Sequence, residues 1–151
     1  MIKFVNYDIV FREIPNLVSL ALNISNCQNN CKGCHSKYLQ QDIGTILTEE
    51  IIDELIDTNK GINCIIFMGE GNDREELLKI ANYIKNKNIY VAIYSGSNKV
   101  PLSYFKIFDY IKIGPYIKEK GPLDNINTNQ KLYKIENRKV LDITYMFHKK
   151  I

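Results

Sequence analysis

Short apolar runs alternate with amphipathic helical stretches through the middle of this chain, and this alternation constrains its fold more than any other feature. Thr48 and Asp73 are expected to cap the two helices that separate the first three runs. Strand–helix–strand repeats need crossover connections, which produce parallel strands. The sequence therefore predicts an α/β fold, either an incomplete (β/α) barrel or a curved, mostly parallel sheet with helices on the outer face. The four runs of strand length are Leu17–Ser25, Asn63–Met68, Ile89–Tyr94 and Tyr110–Ile113.

The remaining segments add weaker elements to one domain that is expected to span residues 1–151. Tyr104–Phe108 is weakly helical, and Leu132–Ile135 could form a hairpin with Leu141–Tyr145. In parallel α/β sheets, ligands bind at the carboxyl ends of the strands. Polar and glycine-containing turns fall at these ends and mark the expected site: Ser25–Cys34, Gly69–Asp73, Ser95–Ser97 and Gly114–Tyr116.

The composition is that of an ordinary globular protein, with 45% hydrophobic residues and a net charge of +3. This mild positive balance does not call for a nucleic-acid partner. No apolar run approaches the roughly 18 residues of a membrane span, and Met1–Tyr7 lacks the features of an export signal. We therefore expect a cytoplasmic protein, without a membrane or direct nucleic-acid partner, whose cysteines are reduced.

Three of the four cysteines are crowded into one short segment with the spacing C-x3-C-x2-C: Cys27, Cys31 and Cys34. Thiolates are strong ligands for iron–sulphur clusters, and one loop can place three of them around a single [4Fe–4S] cube. Such a cube would keep one iron without a cysteine ligand. The sequence therefore predicts a cluster held by these three thiolates. Cys64 lies inside an apolar strand and is interpreted as structural.

Other uses of the cysteines stay open. Cys31–His35 matches the C-x-x-C-H pattern of haem attachment, although no export signal accompanies it. A structural zinc site could recruit His35 or His148, although such sites usually draw on two separated pairs of ligands. A redox dithiol would have one cysteine too many, and a polar loop makes a poor place for inert buried cysteines. The cluster is the reading that the spacing favours.

The cysteine segment resembles that of the radical S-adenosylmethionine superfamily, whose hallmark is this spacing in a loop after the first strand. More narrowly, the chain resembles the activating proteins of anaerobic (class III) ribonucleoside-triphosphate reductases. Met68 departs from that family, which has the first glycine of a Gly-Gly-Glu/Asp motif at this position. The likeness rests on four stretches: Cys31–His35 with Gly33 before the third cysteine, Phe67–Gly71, Asp109–Tyr116 and Thr128–Lys131.

The resemblance implies a cofactor and a set of residues that bind it. The open iron would chelate S-adenosylmethionine, and one electron from the reduced cluster would cleave it to methionine and a 5′-deoxyadenosyl radical. Asn29 and Asn30 are candidate hydrogen-bond donors to the cluster sulphurs. The residues that the resemblance implies for cofactor binding are Gly33, Cys34, His35, Gly69 and Glu70.

The resemblance also implies partners. The radical would abstract hydrogen from a glycine in the large subunit of anaerobic ribonucleoside-triphosphate reductase, with electrons from a flavodoxin- or ferredoxin-type donor. Tyr116 and the segment Lys112–Lys120 are candidates for lining the opening that admits this glycine. Two alternatives are an activase of another glycyl-radical enzyme, of the pyruvate formate-lyase type, and a non-catalytic iron–sulphur electron-transfer protein.

Overall fold

The computed structural model describes residues 1–26 and 37–148, which form one mixed eight-stranded sheet with three α-helices and two 3-10 helices. The helices are α1 (Glu49–Thr58), α2 (Arg74–Lys85) and α3 (Tyr104–Ile107), and the 3-10 helices are Lys37–Gln40 and Thr144–Phe147. The strands are β1 (Lys3–Val10), β2 (Ser19–Ile24), β3 (Thr45–Ile46), β4 (Cys64–Met68), β5 (Tyr90–Tyr94), β6 (Tyr110–Ile113), β7 (Lys131–Glu136) and β8 (Lys139–Asp142).

The α/β fold is confirmed, and its sheet is parallel only in the middle. The strand order is β3-β1-β2-β4-β5-β6-β7-β8, with β2, β4, β5 and β6 parallel. The other four pairings are antiparallel, so the expectation of a mostly parallel sheet was wrong. The order has two edges, β3 and β8, and the described residues show no closed barrel.

The antiparallel strands on the two sides of the sheet include elements that the sequence pattern did not predict or placed wrongly. β1 was not expected, so the cysteine segment follows the second strand and not the first. The hairpin near the end of the chain is confirmed, but β8 begins at Lys139 and ends at Asp142. Asn137 and Arg138 both have positive φ, at 51° and 65°, as a two-residue hairpin turn requires. This turn sets a register in which Ile135 pairs with Val140.

The two expected caps are present and start the helices that cover one face of the sheet. Thr48 Oγ1 accepts a hydrogen bond from the Ile51 amide, and Asp73 Oδ1 accepts one from the Glu76 amide, each at 3.2 Å. Buried side chains of α1, α2 and α3 pack with those of the strands into one cluster. None of the described helices is both long and apolar enough to cross a membrane.

The opposite face of the sheet, called here the helix-free face, is covered by connecting segments. Ile14 comes from the β1–β2 connection, Leu123 from the β6–β7 connection and Ile143 from the segment after β8. They pack against Ala21, Cys64, Ile66 and Ala92 of the central strands. The α-helices therefore occupy one face only. The helix-free face carries none of the three α-helices, but Phe147 of the second 3-10 helix packs there beside a cavity formed between the connecting segments.

Candidate functional site

Each of the four parallel strands is followed by a small residue, and hydrogen bonds join neighbouring strands at this point. The Gly69 amide donates to the Tyr94 carbonyl at 3.1 Å, and the Ser95 amide donates to the Lys112 carbonyl at 2.8 Å. These contacts extend the ladder past the last residue of β4 and β5. We call the four residues that follow the strands the strand-end row: Ser25, Gly69, Ser95 and Gly114.

The segment that contains the three cysteines leaves and rejoins the fold at one place. Asn26, with φ of 60°, donates its backbone amide to the Gln41 carbonyl at 3.1 Å. Its side-chain amide also donates to Asp42 Oδ1 at 3.1 Å, and Lys3 pairs with the same carboxylate at 2.9 Å. Asn26, the last described residue before the cysteine segment, is therefore tied to Gln41 and Asp42, which follow that segment in the chain. Cys27, Asn29, Asn30, Cys31, Gly33, Cys34 and His35 lie outside the described residues, and their roles stay predictions.

Cys64 lies at the start of β4, where it pairs with Ser19 at the start of β2. It is fully buried in β4, and burial raises the pKa of its thiol to about 12. A thiol with this pKa is protonated at neutral pH and is a poor metal ligand. Among the described residues, no group of three or more His, Cys, Asp or Glu side chains is placed to hold a metal ion.

Gly69 makes the turn after β4 in a conformation that favours glycine, with φ of 113°. Met68, which stands where the reductase-activating proteins that the chain resembles have their first glycine, packs against the buried cluster on the helix-free face. Its side chain therefore fills space beside the strand ends and leaves the backbone turn at Gly69 intact. The conformation explains why the second glycine is needed here, while its role in cofactor binding stays a prediction.

Glu70 is held by two hydroxyl groups from different elements. The Tyr104 hydroxyl donates to Oε1 at 2.6 Å, and the Ser95 hydroxyl donates to Oε2 at 2.8 Å. Burial, and then the hydrogen bond to Glu70, raises the pKa of Tyr104, so its hydroxyl remains a donor. The sequence had indicated the Ser95 turn as a strand end but gave no signal for Tyr104, which lies 34 positions from Glu70.

Lys112 places a charged group among strand-end carbonyls. Its ammonium group donates to the Ser95 carbonyl at 3.3 Å and to the Gly114 carbonyl at 3.0 Å, and it lies 5.5 Å from the centre of the Tyr94 ring. A buried cation needs such acceptors because it has lost its water. Ser95 thus connects the ends of β4, β5 and β6 through its hydroxyl, amide and carbonyl groups.

A cavity of about 710 Å³ opens on the helix-free face beside Tyr94 and Lys112. The β1–β2 connection forms one wall, where the Glu13 carbonyl accepts a hydrogen bond from the Tyr94 hydroxyl. Burial raises the pKa of the Glu13 carboxyl. Tyr116 and Lys112, both candidates for lining an opening, do line this cavity. Its size is within the range of small-ligand sites.

The family described as a 4Fe-4S single cluster domain matches residues 18–134. The chain belongs to this family. The match runs from the residue before β2 into β7 and includes the cysteine segment, Gly69 and Glu70. No curated protein and no solved structure matches the chain.

Membership in the 4Fe-4S single cluster family supports an iron–sulphur cluster and favours it over zinc or haem at the same cysteines. Cys64 is a buried thiol in the sheet and is a poor candidate ligand. Cys27, Cys31 and Cys34, which lie outside the described residues, stay the predicted ligands of this cluster.

Proposed function

We propose that this chain is a glycyl-radical activase that cleaves S-adenosylmethionine reductively at a [4Fe–4S] cluster. The observation that carries the proposal is the contact of the Gly69–Gly71 turn with Ile24 and Ser25, which precede the cysteine segment in the chain. A Cβ atom on Gly71 would lie 3.2 Å from Ile24 Cγ2 and 3.7 Å from the Ser25 carbonyl oxygen. The turn after β4 therefore touches the strand end from which the cysteine segment departs.

Three cysteine ligands suit a cluster that must keep one iron accessible to a substrate, whereas electron-transfer proteins normally fill all four iron sites. When bound, the cluster supplies the electron that breaks the bond between sulphur and C5′ of S-adenosylmethionine, giving methionine and a 5′-deoxyadenosyl radical. The chain's own part is to orient the cofactor. The turn at Gly69 offers backbone groups, and Glu70 offers a fixed carboxylate that would accept a hydrogen bond from the methionine amino group.

The proposed radical acceptor is a glycine in the large subunit of anaerobic ribonucleoside-triphosphate reductase. Transfer of a hydrogen atom from the glycine Cα would give 5′-deoxyadenosine and a stored glycyl radical. Support comes from the cavity of about 710 Å³, which is open on the face that none of the three α-helices covers and would admit a protein loop there. Adjacent strands lie about 4.8 Å apart, so Tyr94 on β5 is only roughly 10 Å across the sheet from β2. A flavodoxin- or ferredoxin-type protein would supply the electron.

The test is an anaerobic assay on reconstituted protein. We expect about four irons and four sulphides per chain. We also expect a change in the EPR spectrum of the reduced cluster when S-adenosylmethionine is added, followed by release of 5′-deoxyadenosine. Protein that contains tetrahedral zinc and no sulphide would contradict the cluster. An EPR spectrum that does not change when S-adenosylmethionine is added would favour a non-catalytic electron-transfer protein. Activation of a pyruvate formate-lyase-type enzyme, but not of the reductase, would reassign the partner.

A further inference from the structure

Two hydroxyl groups fix both oxygens of one carboxylate at the strand ends. Tyr104 donates to Glu70 Oε1 from α3, and Ser95 donates to Oε2 from the end of β5. We infer that Tyr104 and Ser95 are positioning residues that orient Glu70 toward the amino group of S-adenosylmethionine. This inference rests on the proposed function and extends it to two residues that no motif had assigned a role.

The direction of each hydrogen bond is determined by its surroundings. The Ser97 amide donates to Ser95 Oγ at 3.0 Å, which leaves the serine's own hydrogen for Glu70. The Tyr104 ring is fully buried and packs edge-on against Phe108, with 5.2 Å between ring centres. Neither donor can turn away without disturbing the core, so the carboxylate is held in one orientation.

The held carboxylate keeps the capacity to accept a hydrogen bond from a ligand. An ionised carboxylate has about four lone-pair sites, and the two hydroxyl groups use one on each oxygen. Glu70 itself is only partly buried, whereas Ser95 and Tyr104 have no exposed surface. A ligand can therefore reach Glu70 but not its two donors. This separation is why Ser95 and Tyr104 are assigned a positioning role and not a catalytic one.

The backbone that precedes the Glu70 carboxylate is fixed as well as its side chain. Glu70 follows Gly69, whose amide is fixed to the Tyr94 carbonyl, so the backbone before the carboxylate cannot shift freely. Backbone and side chain are both preorganised, and preorganisation improves binding by reducing the ordering cost. Loss of one donor should release the side chain while the turn remains in place.

The experiment compares Tyr104→Phe with wild type as reconstituted holoprotein under anaerobic conditions. Titration of the reduced cluster with S-adenosylmethionine, followed by EPR, gives the dissociation constant. We expect it to rise about three- to tenfold, the range for loss of one hydrogen bond, with iron content unchanged. Ser95→Ala is the second variant, because it removes the other donor should the first fail to fold.

Tyr83→Phe is the matched control. Tyr83 also donates its hydroxyl to a carboxylate, that of Asp53 at 2.9 Å, but this pair lies between α1 and α2. The control should bind S-adenosylmethionine as wild type does. If Tyr104→Phe and Ser95→Ala also bind as tightly as wild type, the inference is overturned while the proposed function stands. If wild type neither binds nor cleaves S-adenosylmethionine, the proposed function itself fails.

An analogue that lacks the methionine amino group separates positioning from a general structural effect. The inference requires Tyr104→Phe to weaken binding of S-adenosylmethionine but not of this analogue, because the analogue offers nothing to Glu70. The same substitution should have no further effect in a Glu70→Gln background. If Tyr104→Phe instead lowers the affinity for both ligands equally, or lowers it as much in the Glu70→Gln background as in wild type, Tyr104 acts only on the fold.

Discussion

The hydroxyl of Tyr104 donates a hydrogen bond to Glu70 Oε1 across 2.6 Å and so joins α3 to the turn after β4. Ser95 completes the arrangement from β5. The acidic side chain that follows Gly69 is therefore part of a hydrogen-bonded network at the strand ends.

Substitution of Glu70 by glutamine should weaken binding of S-adenosylmethionine by about tenfold or more, because a charge-assisted hydrogen bond is lost. The dissociation constant of the reconstituted protein measures this. Glu75→Gln is the control, since Glu75 is exposed in the first turn of α2 and should leave binding unchanged. Equal affinity of Glu70→Gln and wild type for S-adenosylmethionine would show that Glu70 is not part of the binding site.

Substitution of Cys27 by alanine should abolish cluster assembly, because two cysteines cannot hold the cube in place of three. Cys64→Ala should assemble a normal cluster, with a loss of stability on the order of 1 kcal/mol from the small cavity in β4. Iron and sulphide contents and the visible absorption of the reconstituted proteins measure the difference. Equal losses of iron in both variants would mean that Cys64 is a ligand after all.

Cys64 should also make the apo-protein sensitive to alkali. Its thiol pKa is raised by burial from 9.0 to about 12, so the folded state favours the protonated form. This contribution to stability is fully present below pH 9 and is lost as the pH rises toward 12. Chemical unfolding at several pH values should show a smaller decline over this range in Cys64→Ala than in wild type. Parallel declines would contradict the assignment.

Substitution of Gly69 by alanine should cost about 1 kcal/mol of stability, because alanine tolerates a positive φ poorly. Gly61→Ala provides a matched control: its φ is 101°, and an added Cβ would meet nothing within 4 Å. The two variants should unfold at similar denaturant concentrations, but only Gly69→Ala should bind S-adenosylmethionine more weakly. Equal affinity of the two variants for S-adenosylmethionine would show that Gly69 only makes the turn.

The sequence predicted the central strands and the helices because their signals are local. Apolar runs and the caps at Thr48 and Asp73 lie within a few residues of the elements they define. β1 escaped prediction because its pairing with β2 shifts between Phe4 and Asn6, which interrupts the alternation of a regular strand. β8 was misplaced because the turn at Asn137 and Arg138 sets its register.

The site was less predictable than the fold. Gly69 and Glu70 were indicated by a short motif, and their placement at a strand end agrees with it. The hydrogen bonds from Ser95 and Tyr104 to Glu70 join residues 25 and 34 positions apart. Such contacts depend on where α3 packs, and no periodic pattern in the sequence indicates them. The cavity on the helix-free face likewise depends on how two connecting segments fold over the sheet.

The most direct test of the proposed activase traces the hydrogen atom that the 5′-deoxyadenosyl radical would take from the glycine Cα. The large reductase subunit is labelled with deuterium at the glycine Cα and incubated anaerobically with the reconstituted chain, S-adenosylmethionine and reductant. The account predicts a glycyl radical by EPR and 5′-deoxyadenosine that carries one deuterium by mass spectrometry. Unlabelled 5′-deoxyadenosine, or its release without any glycyl radical, would contradict it.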